Sequence, residues 1–371
     1  MYNLRKMFVM LSLGFGSGLP YILLISTTSA WLRDTGVELS LIGFFAWITF
    51  AYTIKFIWAP LVDRFSVPYF AKYGHRKSWI ALMQIIIISA LLLLSNIDPL
   101  QSFLFFCIVA GLIAFAGSFQ DIAIDAFRIE YAHISDQGNL AAAYQLGYRL
   151  AIIAATSLAL IFADSNGWSM TYKFLAMLMC FGFLGVIFSS ENKNAELGKL
   201  NFSNSIYEPL KDFFSRFKFF MASILLLIVA TYRLTDIVMG PMATPFYIDM
   251  GFTLTEIGAV VKVVALIASI VGIFVGGLLI KRIKIFRSLL IGAFLVMITN
   301  VLFAYVAITE KNIISLASIV AMDSLAAGIV GTVNIAFLTS LVSKKYTAFH
   351  YALLTGFMTL PGFALKGLSG V

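Results

Sequence analysis

The stretch GSFQDIAIDAFR, residues 117–128, sets two carboxylates, Asp121 and Asp125, four residues apart, with Arg128 three further on. On a helix all three share one face. They close a run that is apolar from about Phe103. A carboxylate kept from water either belongs to an ion pathway or is matched by a base. Two readings follow. Asp121 or Asp125 exchanges a proton or takes part in binding, or the pair forms interhelix ion pairs that hold a bundle. Asp125 lies nearer the end of the run, which favours the structural role for it.

More charges sit inside apolar stretches: Arg149, Arg233, Asp236, Lys262 and Asp323. At 1.5 Å per residue, Arg149 lies roughly 15 Å from the start of its run. A charge at that depth costs about 2.5–3.5 kcal/mol to insert. These side chains must face a watery cavity or one another. The bases suit an anionic ligand, with Arg gripping a carboxylate through two parallel hydrogen bonds. Equally, they could neutralise Asp121, Asp236 and Asp323. Asp121 and Arg149 have similar depths on consecutive segments, so a pair between them is expected. Arg233 and Asp236 can meet within one turn.

The elements that position these residues are membrane spans. The chain is 61% hydrophobic and 12% charged, about half the charge of a soluble domain. Eleven apolar runs are long enough to cross a bilayer, at about 8–31, 40–62, 79–97, 102–127, 139–163, 170–189, 218–248, 254–280, 288–308, 313–342 and 348–371. Lys and Arg crowd alternate loops: Arg64, Arg76 and Lys77, then Lys281, Arg282, Lys284 and Arg287, then Lys344 and Lys345. The intervening loops hold Arg33, Lys173 and Lys311. This bias places the N-terminus inside and makes the net charge of +8 a matter of topology rather than of nucleic-acid binding. The first run continues for about 24 residues without a small-residue cleavage site, so it reads as a retained helix rather than a signal peptide.

The polar, basic segment 190–217 divides six spans, residues 1–189, from five, residues 218–371. The basic loops after the second and eighth spans sit at matching places in the two halves, which suggests an internal repeat. The sequence GFGSGLP, residues 14–20, implies close helix packing with a local kink, or an opened backbone that binds a polar ligand. Its lack of a GKS motif excludes a phosphate loop. GGL at 276–278 and AAGIVGT at 326–332 read as packing faces. Cys107 and Cys180 lie in separate apolar runs and read as buried hydrophobes. With three His and no nucleophile–base or metal constellation, neither an enzyme nor a cofactor is expected.

Seven stretches carry a family resemblance: GFGSGLPY, AYTIKFIWAPLVDR at 51–64, QDIAIDAFR at 120–128, LGYRLA at 146–151, YRLTD at 232–236, IGAVVK at 257–262 and the GTVNIAFLTSL region from 331. In order and spacing the chain resembles the AmpG-type anhydromuropeptide permeases of the major facilitator superfamily. The resemblance implies an all-α integral membrane protein of two six-helix bundles, with the twelfth helix missing from this sequence. Either a separate chain supplies that helix or the copy is truncated and inactive. It further implies proton-driven import of GlcNAc-1,6-anhydro-MurNAc, with or without peptide, across the bacterial inner membrane, by rocking of the bundles. A carrier of another anion, similar to acetyl-coenzyme A carriers, is the alternative.

The resemblance implies proton coupling by Asp121, Asp125 and Asp236, to which depth within its run adds Asp323. It assigns substrate binding to Gln120, Arg149, Arg233, Lys262 and Asn334. Where the family more often has Lys, Arg233 stands here. A gating latch is implied for Asp63, Arg64 and Arg128, with Asp63 meeting the 347–349 region at the start of the eleventh span, where a helix dipole favours a carboxylate.

Overall fold

The structure, a computed structural model, describes residues 4–68, 74–131, 136–190, 204–239, 246–247, 250–252, 254–309 and 311–366. Every regular element among them is helical. The longest helices are apolar all round. Leu104, Ile108 and Phe115 stay exposed on one side of Phe103–Tyr131, as do Leu290, Phe294 and Val301 on Ile285–Ala307. In water such faces would be untenable, whereas in hydrocarbon they are the lipid-facing surface.

In chain order the helices are α1 (Leu4–Ile22), α2 (Thr28–Asp34), α3 (Leu39–Phe45), α4 (Phe50–Thr53), α5 (Ala59–Arg64), α6 (His75–Leu94), α7 (Phe103–Tyr131), α8 (Gln137–Ile153), α9 (Ala159–Phe188), α10 (Asn204–Phe217), α11 (Phe219–Thr231), α12 (Leu234–Met239), α13 (Leu254–Ile283), α14 (Ile285–Ala307), α15 (Ile313–Leu341) and α16 (Thr347–Lys366). Eight helical runs among the described residues are long and apolar enough to span a membrane. A ninth is the pair Ser40–Thr53 and Lys55–Arg64, bent by 42°.

The difference from eleven has an identifiable cause. One run, Gln137–Phe188, is 52 residues long. At 1.5 Å per residue it would extend about 78 Å, against about 30 Å of hydrocarbon. It turns at Gly167, whose φ of +75° is open to glycine at little cost, and so holds two of the expected spans. The eleventh expected span is α16, a helix of 20 residues within the described part.

The chain divides into two compact units. The first comprises Met1–Ala132, Ala143–Phe213 and Ser343–Gly356, and the second His133–Ala142, Phe214–Val342 and Phe357–Val371. In the first unit α6 packs on α7 and α9, and α1 packs on the same two helices. Glycines set the closest approaches. A Cβ at Gly14 would fall on the Tyr144 carbonyl, and one at Gly147 on the Leu11 carbonyl, so α1 and α8 cross backbone to backbone. Gly16 and Gly18 likewise meet Gly182 and Ala151. Packing is therefore what the GFGSGLP glycines do. The kink follows them. Pro20 removes a backbone donor, and a π-turn at Leu23–Thr27 widens the helix just beyond.

In the second unit α13 and α15 cross in the same reciprocal way, Gly272 against the Leu325 carbonyl and Gly328 against that of Ser269. A small core of Phe252, Val306, Leu316, Ile319 and Val320 closes one end. The expected linker 190–217 is helical in its described part. Along α10, Leu210, Phe213, Phe214 and Phe217 fall at helical spacing, and Phe213 is buried.

Candidate functional site

The second expected span is interrupted near Ile54, and Pro60 opens α5. The short 3-10 turn Lys55–Ile57 fills the gap and aims Lys55 inward, where only 5% of the residue remains exposed. Its ammonium pairs with Asp121 Oδ2 on α7 and stands 3.7 Å from Asp125 Oδ2. On the other oxygen, Asp121 accepts a hydrogen bond from Ser17 Oγ of α1 at 2.6 Å and a longer one from the Tyr144 hydroxyl of α8 at 3.4 Å. Ser17 Oγ and Tyr144 Oη are themselves 2.8 Å apart. Arg128 is fully buried, 3.6 Å from Asp125 Oδ1, with its guanidinium over the rings of Tyr144 and Tyr351.

These contacts join two carboxylates, two cations and two phenols in one buried network within the first unit. Formal charge balances, which is the condition for holding four ionised groups away from water. Asp121 is the most open of the four, its side chain 15% exposed. Asp121 is thus met by Lys55 and not, as the depth argument expected, by Arg149. Depth along a helix fixes a level, not a direction, and Lys55 stands at the same level on a nearer element.

Gln120, one residue before Asp121, is completely buried, as is Gln84 of α6. Both amides lie beside Gly16, and neither has a hydrogen-bond partner among the described residues. Buried amides of this kind mark a place where water or a ligand group is accommodated.

A second cluster lies at the end of α5. Asp63 accepts hydrogen bonds from the backbone N–H groups of Ala348 and Phe349, each at 3.0 Å. It thereby caps the N-terminus of α16 from almost three hundred residues away in sequence. Its basic partner is Arg76, at 2.7 Å, rather than Arg128. Arg128 shares a helix face with Asp125 and is held there, while Arg76 enters from the first turn of α6. Arg76 also donates to the Val62 carbonyl, to Glu130 and to Thr347, and Thr347 in turn donates to Glu130. The third residue of the expected latch, Arg64, pairs instead with Glu208 of α10 at 3.2 Å. Glu208 also accepts from the Tyr346 hydroxyl, and the buried His350 has its Nε2 2.8 Å from the Pro209 carbonyl.

The remaining expected positions lie in the second unit or near it. Arg233 and Asp236 form an ion pair at 3.5 Å within α11–α12. Asn334 is buried on α15, its amide donating to Met358 Sδ at 3.0 Å. Asp323 is half-buried on the same helix, and Arg149 half-buried on α8. Lys262 lies within α13, but its side chain is outside the described residues. Among the described residues no group of His, Cys, Asp and Glu could hold a metal ion. Sequence reasoning misses Lys55, Ser17, Tyr144, Arg76 and Glu130 as site residues. Lys55 alone carries a signal, being a lysine set within an otherwise apolar run.

Comparison with known proteins identifies the family. The Major Facilitator Superfamily profile matches residues 5–365. The putative transporter AmpG 4 of Rickettsia conorii is 32% identical over 97% of this chain and 87% of its own length. The anhydromuropeptide permease of Escherichia coli is 33% identical over 94% of this chain and 70% of its own. Among solved structures, the proton:xylose symporter XylE aligns over 98% of this chain and 87% of its own, with a TM-score of 0.65 at 12% identity, a likeness of fold. Matched by this family profile over nearly all of its length and by relatives at 32–33% identity, the chain belongs to the Major Facilitator Superfamily and, within it, to the AmpG-type permeases.

Proposed function

We propose that the chain is a proton-coupled importer of anhydromuropeptides, the disaccharide GlcNAc-1,6-anhydro-MurNAc with or without its peptide, across a bacterial inner membrane. The N-terminus lies on the cytoplasmic side. The observation that carries this reading is the buried network of Lys55, Asp121, Asp125 and Arg128 in a chain whose relatives include an anhydromuropeptide permease. Buried carboxylates that can trade a proton for an ammonium are what coupling to a gradient requires.

In this reading Asp121 is the protonation site, since it is the most open acid of the network, and Asp125 supports it. Asp236 and Asp323 serve the same purpose in the second unit. Gln120 and Asn334 supply amides for sugar hydroxyls, while Arg149, Arg233 and Lys262 attract the substrate's carboxylates. Asp63 caps α16 in one conformation of an alternating-access cycle and releases it in another, with Arg64 and Arg128 supporting that end of the first unit. Uptake of labelled anhydromuropeptide into proteoliposomes holding the 371-residue chain tests the reading. Accumulation that requires an inward proton gradient supports it. Facilitated entry indifferent to the gradient removes the coupling, and no entry removes the substrate.

A further inference from the structure

Lys55 stands between two carboxylates, touching Asp121 and 3.7 Å from Asp125, while Arg128 attends Asp125 from the far side. Asp125 therefore has two cations near it, and among the described ion pairs Asp121 has Lys55 alone. The one other charged acid facing Asp121 among the described residues is Asp125, across the shared Lys55. The remaining groups around it are uncharged. They are Ser17 and Tyr144, which bond it, and Tyr21 and Tyr52, whose rings meet at 4.8 Å beside it. Tyr351 closes the network on the Arg128 side.

Protonating Asp121 removes the ammonium's nearest partner and leaves the network with one positive charge in excess. A buried charge without a counter-ion is costly, so the excess favours entry of an anion. We propose that Lys55 is the exchangeable cation of this network. It is paired with Asp121 while that acid is ionised, and it is handed to a carboxylate of the transported solute once Asp121 takes up a proton. Proton and solute carboxylate then bind cooperatively, because each makes room for the other, and the effect is reciprocal. Lys55 acts here as a positioning and specificity-determining residue. This inference rests on the proton-coupled reading above and adds to it the group of the solute that the proton recruits.

The test uses the purified full chain in proteoliposomes as wild type, Asp121→Asn, Lys55→Met and Lys55→Arg. The first readout is labelling of Lys55 by a small amine-reactive reagent at one fixed pH, located by mass spectrometry. Asp121→Asn mimics the protonated acid and should raise the labelling rate about tenfold or more, since the amine loses a charge-assisted hydrogen bond. A muropeptide with free carboxylates should then protect Lys55, and its carboxamide analogue should not.

The second readout is the uptake preference for the carboxylate over the carboxamide. Wild type should prefer the carboxylate by about tenfold, Lys55→Met should lose the preference, and Lys55→Arg should keep it. A purely structural lysine would lower transport of both solutes together and leave their ratio unchanged. Equal labelling of wild type and Asp121→Asn, or an intact preference in Lys55→Met, overturns the proposal. If Asp121→Asn does not fold, the solute preference of the two Lys55 variants decides alone. If the wild type takes up neither solute, the muropeptide reading fails, while the labelling comparison, which needs no solute, still decides whether Lys55 is released.

Discussion

The buried guanidinium of Arg76 donates a hydrogen bond to Thr347 Oγ1 at 2.8 Å, across 271 residues of sequence. The same side chain neutralises Asp63 and Glu130. Removing it takes the cation from two carboxylates at once. Arg76→Ala should therefore lower stability by about 3–5 kcal/mol, the usual cost of breaking a buried ion pair from one side. Thermal unfolding in detergent measures it, and Arg76→Lys should recover only part, since one ammonium cannot reproduce the fork of bonds to Val62, Asp63, Glu130 and Thr347.

Asp63 holds the N-terminus of α16 by two charge-assisted bonds. Asp63→Ala should loosen that helix by about 1–2 kcal/mol, as the loss of a cap does. Asp63→Asn keeps an acceptor oxygen but not the charge and should fall between. Hydrogen exchange at Ala348 and Phe349 reports the change directly. Unaltered protection in Asp63→Ala would show that the helix start is held by Arg76 and Thr347 alone.

The α1–α8 crossing leaves no room for a methyl group at Gly147. Gly147→Ala should cost about 1–3 kcal/mol or prevent assembly, because the obstructing atoms are backbone. Gly111, in the middle of α7, has nothing near the place its Cβ would take. Gly111→Ala should be neutral or stabilise the protein by up to about 1 kcal/mol through helix propensity. Comparing melting temperatures of the two variants separates packing glycines from incidental ones.

Asp121→Asn should abolish proton-driven accumulation while leaving exchange of solute between the two sides of the membrane partly intact, since exchange needs no net proton movement. Counterflow and gradient-driven uptake measured on the same vesicles give the two numbers. Accumulation at the wild-type level would remove Asp121 from the coupling role.

Much of this arrangement is legible in the order of the amino acids. The spacing of Asp121, Asp125 and Arg128 fixes a single helix face, and α7 presents them together. Hydropathy locates the spans, including the two fused across Gly167, because a length near 30 Å is set by the bilayer and not by the protein. Partners are harder. Two residues at one depth on different helices are indistinguishable by counting along the chain, so Arg149 and Lys55 compete equally for Asp121. The break at Ile54 makes matters worse, since facing arguments assume an unbroken helix and Lys55 sits where that assumption ends. For Arg128 the spacing itself argues against Asp63, because Asp125, three residues earlier, already supplies a partner within one turn. The amphipathic face of α10 is present in the sequence but hidden by the polar residues around it.

The first unit draws residues Ser343–Gly356 from more than a hundred residues beyond the rest of it. A ribosome adding roughly 5–20 residues per second takes about 15–50 seconds to pass from Arg76 to Thr347. Through that interval the first spans are already made while Asp63, Arg76 and Glu130 wait without the helix start they will hold. Until then Arg76 can already neutralise Asp63 and Glu130, and what is missing is the helix start that Asp63 caps. Biogenesis of this protein is thus not a matter of finishing one half and then the other. The early half is assembled open and is sealed by a segment translated long after it.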